Sequence, residues 1–501
     1  MAERAAGILL AVSSLPSRYG IGTFGEEGLR WVDFLKEAGQ KYWQILPLGP
    51  TGWGDSPYQS FSAFAISPYY VDLDMLRDQS LLTGEELEAV HWGRPNRVSY
   101  AAQYLHREKI LRKAFVRFRE NPSAHNGAAF QEFREKHAPW LNDYSLFMAL
   151  KRRNKGVSWL EWKGPLRFRE AKALANYQKK LAEDIEYHSY VQYLAYTQWT
   201  HLKAYANSNG VSIIGDIPIY VAMDSADTWS NSELFQLDPQ RRPIRVAGCP
   251  PDPFAAGGQL WGNPLYRWDI LEQTGYAWWL TRLRTCMRLY DVTRIDHFRG
   301  FESYYSIPAA DKDAGGGEWV KGPGHSFITA INRELPGANI IAEDLGYLTA
   351  EVRELLRASG YPGMKILQFA FDSRESSDYM PHTFERHCVV YTGTHDNPTS
   401  LGWLKTARFE DVTLAMEYFG LRNIREAIKE GNWAFIRSVL GSVANLAIIP
   451  MQDYLGLGTN ARMNAPSTTG GNNWRWRMNG GMLKSELAEK IALLTRIYGR
   501  I

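Results

Sequence analysis

The sequence predicts a TIM (β/α)8 barrel with inserted, mainly helical subdomains. Three observations predict it: eight short apolar runs, amphipathic stretches between several of them, and no Gly-rich dinucleotide fingerprint after the first run. The last of these disfavours the runner-up, an open doubly wound sheet.

Gly7 to Val12 reads as the first strand. Glu26 to Ala38 follows as a helix, with Leu29, Val32 and Leu35 on one face. Tyr42 to Pro47 is the second strand, running into the loop Gly49 to Tyr58. A parallel sheet needs this alternation, because each strand must return over a crossover. Six further runs complete the set: Val211 to Val221, Asp291 to Phe298, Asn339 to Leu345, Met364 to Phe371, Cys388 to Thr394 and Ala444 to Met451. Ser326 to Leu335 and Thr349 to Ala358 are amphipathic, and Leu483 to Ile497 is the last helix. Between them, residues 75–201 are helix-rich and charged, and read as an inserted helical subdomain. Residues 221–265 are expected to form an inserted loop subdomain near the barrel mouth. Pro466 to Gly481, rich in Gly, Asn and Trp, reads as a long ordered loop.

Bulk properties exclude several classes. The chain has 501 residues, 45% hydrophobic and 22% charged, with a formal net charge of +3. No basic stripe suits a nucleic-acid partner. No apolar stretch is long enough for a bilayer. Arg4 precedes the apolar run Ala5 to Val12, which sits at the lower limit for a secretion signal and follows Glu3; a buried first strand is the preferred reading. Cys249, Cys286 and Cys388 are scattered and odd in number, which fits a reducing, cytoplasmic compartment. The 18 Trp and 27 Tyr would suit stacking on sugar faces, although composition alone favours a well-packed core.

Four of the predicted strands end in carboxylates: Asp216, Asp296, Glu343 with Asp344, and Asp396. In a barrel the C-terminal strand ends converge on one mouth. Arg294 and Asp296 share a strand face by period two. A guanidinium there would hold Asp296 ionised, as a nucleophile requires. Glu343 needs the opposite treatment, a raised pKa, to serve as a general acid. Two carboxylates in divergent environments are what glycoside chemistry uses, and retention places them ~5–5.5 Å apart. Asp344 reads as a helix cap or a supporting group. His297 and His395 lack the spacing of zinc ligands and are read as donors to sugar hydroxyls.

These residues resemble the amylomaltases, or disproportionating 4-α-glucanotransferases, of the α-amylase superfamily. The likeness runs through Tyr42 to Gly52, Gly54 to Ser60, Gly215 to Ile219, Trp261 to Tyr266, Arg294 to Gly300, Ala342 to Gly346 and Gly393 to Asn397. It implies a barrel with no separate C-terminal β-domain, consistent with the short tail after the eighth strand. It also implies Asp296 as nucleophile, Glu343 as acid and base, and Asp396 as the group that grips the distorted donor sugar. Tyr58, Asp216, Asn263, Arg294, His297 and His395 would contact substrate, with Asp252 and Trp261 on a covering loop, Ala247 to Gly262. Asp372 and Asn464 are further expected contacts, and Trp53 an accessory one. The resemblance implies an α-1,4-glucan donor and a sugar acceptor, neither cofactor nor metal, no nucleic acid or membrane, and a monomer or small homo-oligomer. An α-amylase-type hydrolase, a silent glucan-binding protein and a metal-dependent lyase are the rival readings.

Overall fold

The structure is a computed structural model that describes residues 3–251, 257–346 and 348–501. Its strands are β1 (Ala5–Leu9), β2 (Tyr42–Gln44), β3 (Ser212–Pro218), β4 (Arg245–Cys249), β5 (Gln259–Pro264), β6 (Val292–Asp296), β7 (Ser303–Pro308), β8 (Glu318–Lys321), β9 (Ile340–Ala342), β10 (Gly363–Ile366), β11 (Cys388–Tyr391) and β12 (Leu446–Pro450).

Eight of these form one parallel sheet in the order β10-β11-β12-β1-β2-β3-β6-β9. Each strand lies beside its successor in the chain, and β12 returns to pair with β1. This is the barrel that the alternation predicts. Each of the eight expected runs overlaps one of these strands, although β1 and β10 begin ahead of their runs. The hydrogen-bonded ladders are shorter than the apolar runs, because the chain leaves the sheet before its apolar character ends. β1, β9, β11 and β12 are buried along their whole length, as parallel strands covered on both faces must be.

The remaining junction, between β9 and β10, is joined differently. Ala342 N donates to Pro362 O at 3.0 Å. One step further, the Asp344 side chain replaces a strand carbonyl: its Oδ1 accepts from Met364 N at 2.6 Å. Gly363 permits this, since a Cβ there would lie 2.6 Å from the Asp344 carboxylate.

The helix Glu26–Glu37 buries Trp31, Val32, Phe34 and Leu35 against the core. Between β2 and β3 the described elements are all helical. The two longest, Gly127–Arg153 and Ala182–Ser208, pack along one another. No helix among the described residues is long and apolar enough to cross a membrane.

The described parts of 221–265, residues 221–251 and 257–265, contain strands as well as loop. They supply β4 and β5, which join β7 and β8 in a second, antiparallel sheet of order β5-β4-β7-β8. The two halves leave the barrel after different strands, β3 and β6. The pairing partners lie far apart in sequence, so local pattern did not reveal them.

Candidate active site

The barrel's C-terminal end gathers polar side chains that are remote in sequence. β3 carries Asp216, and β6 carries Arg294 and Asp296. Glu343 follows β9 directly, and His395 and Asp396 lie in the turn beyond β11. Tyr58 enters from the loop after β2, and Asn464 from the loop after β12.

Arg294 is the hub. Its Nη1 donates to both Asp216 oxygens at 2.8 Å and to Asp296 Oδ1 at 2.9 Å. Tyr58 Oη donates to Asp216 Oδ2 at 2.8 Å. Asp216 and Arg294 are buried, whereas the Asp296 side chain keeps 30% of its exposure and opens to the mouth. Buried charges need such partners, and here each has one.

Glu343 is fixed to the residues around Asp296. Its Oε2 accepts from His297 N at 2.6 Å, and its Oε1 from Leu345 N at 2.8 Å. Its backbone is stitched to the same turn, with Glu343 N donating to Ile295 O and Phe298 N to Glu343 O. His297 takes a left-handed backbone, φ 57°, uncommon for a residue with a side chain. Such strain persists where surrounding bonds over-determine it, and here it aims the amide at the Glu343 carboxylate.

Burial raises the pKa of Asp296, opposed by the positive charge of Arg294. Burial raises Glu343 too, and the negative charge of Asp296 raises it further. Arg294 bonds Asp296 directly and acts on Glu343 only from a distance, so Asp296 loses its proton first. Burial, reinforced by Arg299, pushes the His297 imidazole down to about 3, which keeps it neutral at ordinary pH.

The opposite rim is formed by His395, Asp396 and Asn464. Asn464 Nδ2 donates to Asp396 Oδ1 at 2.6 Å, and His395 Nε2 lies 3.4 Å from Asp396 Oδ2. The Tyr58 and His395 rings stack with centroids 5.1 Å apart, and Trp474 packs against both. The Trp261 ring meets His297 edge-on at 4.9 Å. Gln59 Nε2 donates to Asn263 Oδ1 at 3.0 Å, joining the first loop to β5.

Tyr58, Asp216, Trp261, Asn263, Arg294, Asp296, His297, Glu343, His395, Asp396 and Asn464 are thus linked by contact into one mouth. Asp372 stands apart from these links. Arg374 takes both of its oxygens, at 2.7 and 2.5 Å, and holds its carboxyl down at about 2. Trp53 projects from its loop with 95% exposure. Asp252 lies outside the described residues. Sequence reasoning did not single out Gln59, Arg462 or Trp474. Arg462 Nη2 donates to Asp396 O at 2.5 Å. The aromatic content of the Pro466 to Gly481 loop was the one available signal for Trp474. Among the described residues no cluster of three or more His, Cys, Asp or Glu side chains is placed to hold a metal ion.

A (β/α)8 barrel whose mouth holds two carboxylates of unlike environment has the arrangement that carbohydrate-active enzymes use on glycosidic bonds. The family model for 4-alpha-glucanotransferase matches residues 10–484, and the chain belongs to that family. It is 48% identical over 493 residues to the 4-alpha-glucanotransferase of Clostridium butyricum, covering 98% of this chain and 99% of that one. It is 46% identical to that of Thermus thermophilus, covering 99% of each. Among solved structures it is similar to the amylomaltase from Streptococcus agalactiae in complex with acarbose, with TM-score 0.95 and 39% identity over 99% of this chain and 100% of that one.

Proposed function

We propose that the enzyme transfers a segment of an α-1,4-glucan to the 4-OH of a second sugar by double displacement with retention. One observation carries this reading: the Glu343 carboxylate is bonded to the amide that immediately follows Asp296 and is near enough for the Asp296 charge to raise its pKa, as two carboxyl groups bordering one gap would be. Asp296, the first to ionise, attacks the anomeric carbon. Glu343, still protonated, gives its proton to the departing oxygen. The acceptor hydroxyl then returns a proton to Glu343 as the glycosyl–enzyme bond breaks.

Arg294 and Asp216 hold Asp296 in line. Asp396, kept in place by Asn464, and His395 take the hydroxyls of the distorted donor sugar. The neutral His297 adds a donor or acceptor beside Trp261. Transfer outruns hydrolysis when the mouth binds sugar better than it admits water, and the Tyr58, Trp261 and Trp474 rings supply apolar surface for that. When the acceptor is the donor's own far end, the product is a cyclic glucan.

Incubation with maltotriose tests this. The expected outcome is glucose plus longer oligomers at a constant number of reducing ends. A steady rise in reducing ends would reassign the enzyme as a hydrolase, and no turnover would leave a binding protein.

A further inference from the structure

The loop after β12 reaches the mouth with two side chains, Arg462 and Asn464, and both act on Asp396. Asn464 Nδ2 donates to the Asp396 carboxylate. Arg462 Nη2 donates to the Asp396 carbonyl at 2.5 Å, and its Nε donates to the Asn464 carbonyl at 2.6 Å. The three residues close a ring. Arg462 holds the main chains of Asp396 and Asn464, and Asn464 holds the Asp396 side chain. A further bond crosses the same seam, from Asn464 N to His395 O at 3.0 Å.

Arg462 is itself well seated. It follows the short turn Thr459–Ala461, and its N donates to Thr459 O at 3.1 Å. Met463, between the two gripping residues, is buried, and its carbonyl accepts from Trp474 N at 2.7 Å. Other groups tie the ends of the turn that carries Asp396. Asp453 accepts from Thr392 Oγ1 at 2.6 Å and from Ser400 N at 2.7 Å, and Gln368 Nε2 donates to Pro398 O at 2.8 Å. Those bonds set where the turn begins and ends, whereas Arg462 acts at Asp396 itself.

The Asp396 side chain keeps 45% of its exposure, so packing alone does not fix it and hydrogen bonds must. A misplacement of about 1 Å in a group that meets the reacting sugar can cost on the order of 100-fold in rate. A guanidinium is suited to prevent that, because its planar fork holds Nε and Nη2 at a set spacing and so fixes two carbonyls relative to each other. We propose that Arg462 is a positioning residue for transfer, whose fork locks Asp396 and Asn464 together so that the Asp396 carboxylate stands where the distorted donor sugar needs it. This rests on the reading that Asp396 grips that sugar.

Kinetics on maltotriose, with an unfolding midpoint measured for each variant, test the assignment. Arg462→Met should lower kcat about tenfold or more with KM little changed, because bonds to the distorted ring count for more in the transition state than in the ground state. Arg462→Lys keeps the charge but meets one carbonyl at a time, and should recover only part of the rate. Combined with Asn464→Ala, the Arg462→Met loss should fall short of the product of the two single losses, since both residues act through Asp396. A merely structural role would leave the two effects multiplicative. Where Arg462→Met fails to fold, Arg462→Lys and its combination with Asn464→Ala give the same comparison. Full kcat in either Arg462 variant, a loss confined to KM, or multiplicative effects would overturn the proposal. Asp396→Ala then shows which idea has failed: normal turnover there removes the role of Asp396 and this proposal with it, whereas lost transfer leaves Asp396 in place and removes Arg462 alone.

Discussion

Arg294 and Asp296 sit two residues apart on β6, and Arg294 Nη1 donates to Asp296 Oδ1 at 2.9 Å while also holding Asp216. Period two puts both on the inner face of the strand. One cation thus steadies a fully buried carboxylate and a partly open one, and the open one is the reactive group under the proposed mechanism.

Asp296→Asn is expected to abolish transfer, lowering kcat on the order of 10³-fold or more, since an amide cannot form the glycosyl ester. Single-turnover kinetics on maltotriose measure this. Near-normal turnover would rule out Asp296 as nucleophile.

Arg294→Met should cost stability as well as transfer rate, since Arg294 also holds Asp296. It strands Asp216 in the interior without its cation, a change that costs about 3–5 kcal/mol. The midpoint of urea unfolding reports it. A shift worth less than ~1 kcal/mol would mean that Tyr58 alone satisfies Asp216.

The pH dependence follows from the two raised pKa values. Asp296 must be ionised, so the rate falls as pH drops through its value. Glu343 must be protonated, so the rate falls as pH rises through its higher value. The kcat profile should be a bell, with macroscopic limbs that belong to the pair. Glu343→Gln should lose the alkaline limb, and a donor with an activated leaving group should still load the enzyme. An unchanged alkaline limb in that variant would assign it to another group.

Gly363→Ala probes the β9–β10 junction. The new methyl would press on the Asp344 carboxylate, next to Glu343. A loss of about 1–3 kcal/mol is expected from overpacking, together with a fall in kcat. Thermal unfolding and kinetics test the two parts separately. A stable and fully active variant would show that the Asp344 clasp does not position Glu343.

Arg500→Met tests how the barrel's first strand is anchored. Buried Arg500 donates to Leu440 O, Ala5 O, Asn445 O and Ser442 O, and Arg4 reaches Leu440 O and Ser442 O from the other side. Leu440 O and Ser442 O keep Arg4 and Asn445 O keeps Ala5 N, so the loss should be about 1–3 kcal/mol, read from the unfolding midpoint.

The barrel was legible because its signal is local. Eight apolar runs and the helices between them record which segments lie buried, and consecutive parallel units leave few ways to connect them. Asp216, Arg294, Asp296, Glu343 and Asp396 were legible as charges at strand ends, where burial demands a partner or a task. Other features depended on groups brought together only by folding. The second sheet joins β4 to β7 across the whole of β6, and no alternation in either strand names the other. Arg462 and Trp474 reach the mouth from the loop after β12, and their role exists only through contact with Asp396 and His395. The sequence therefore determined the fold and named the groups to which the proposed mechanism gives the chemistry. Tertiary structure alone decided the balance of shifts: burial raises both carboxyls, Arg294 opposes it at Asp296 and the Asp296 charge adds to it at Glu343, because pKa depends on distance and solvent, and neither is written along a chain.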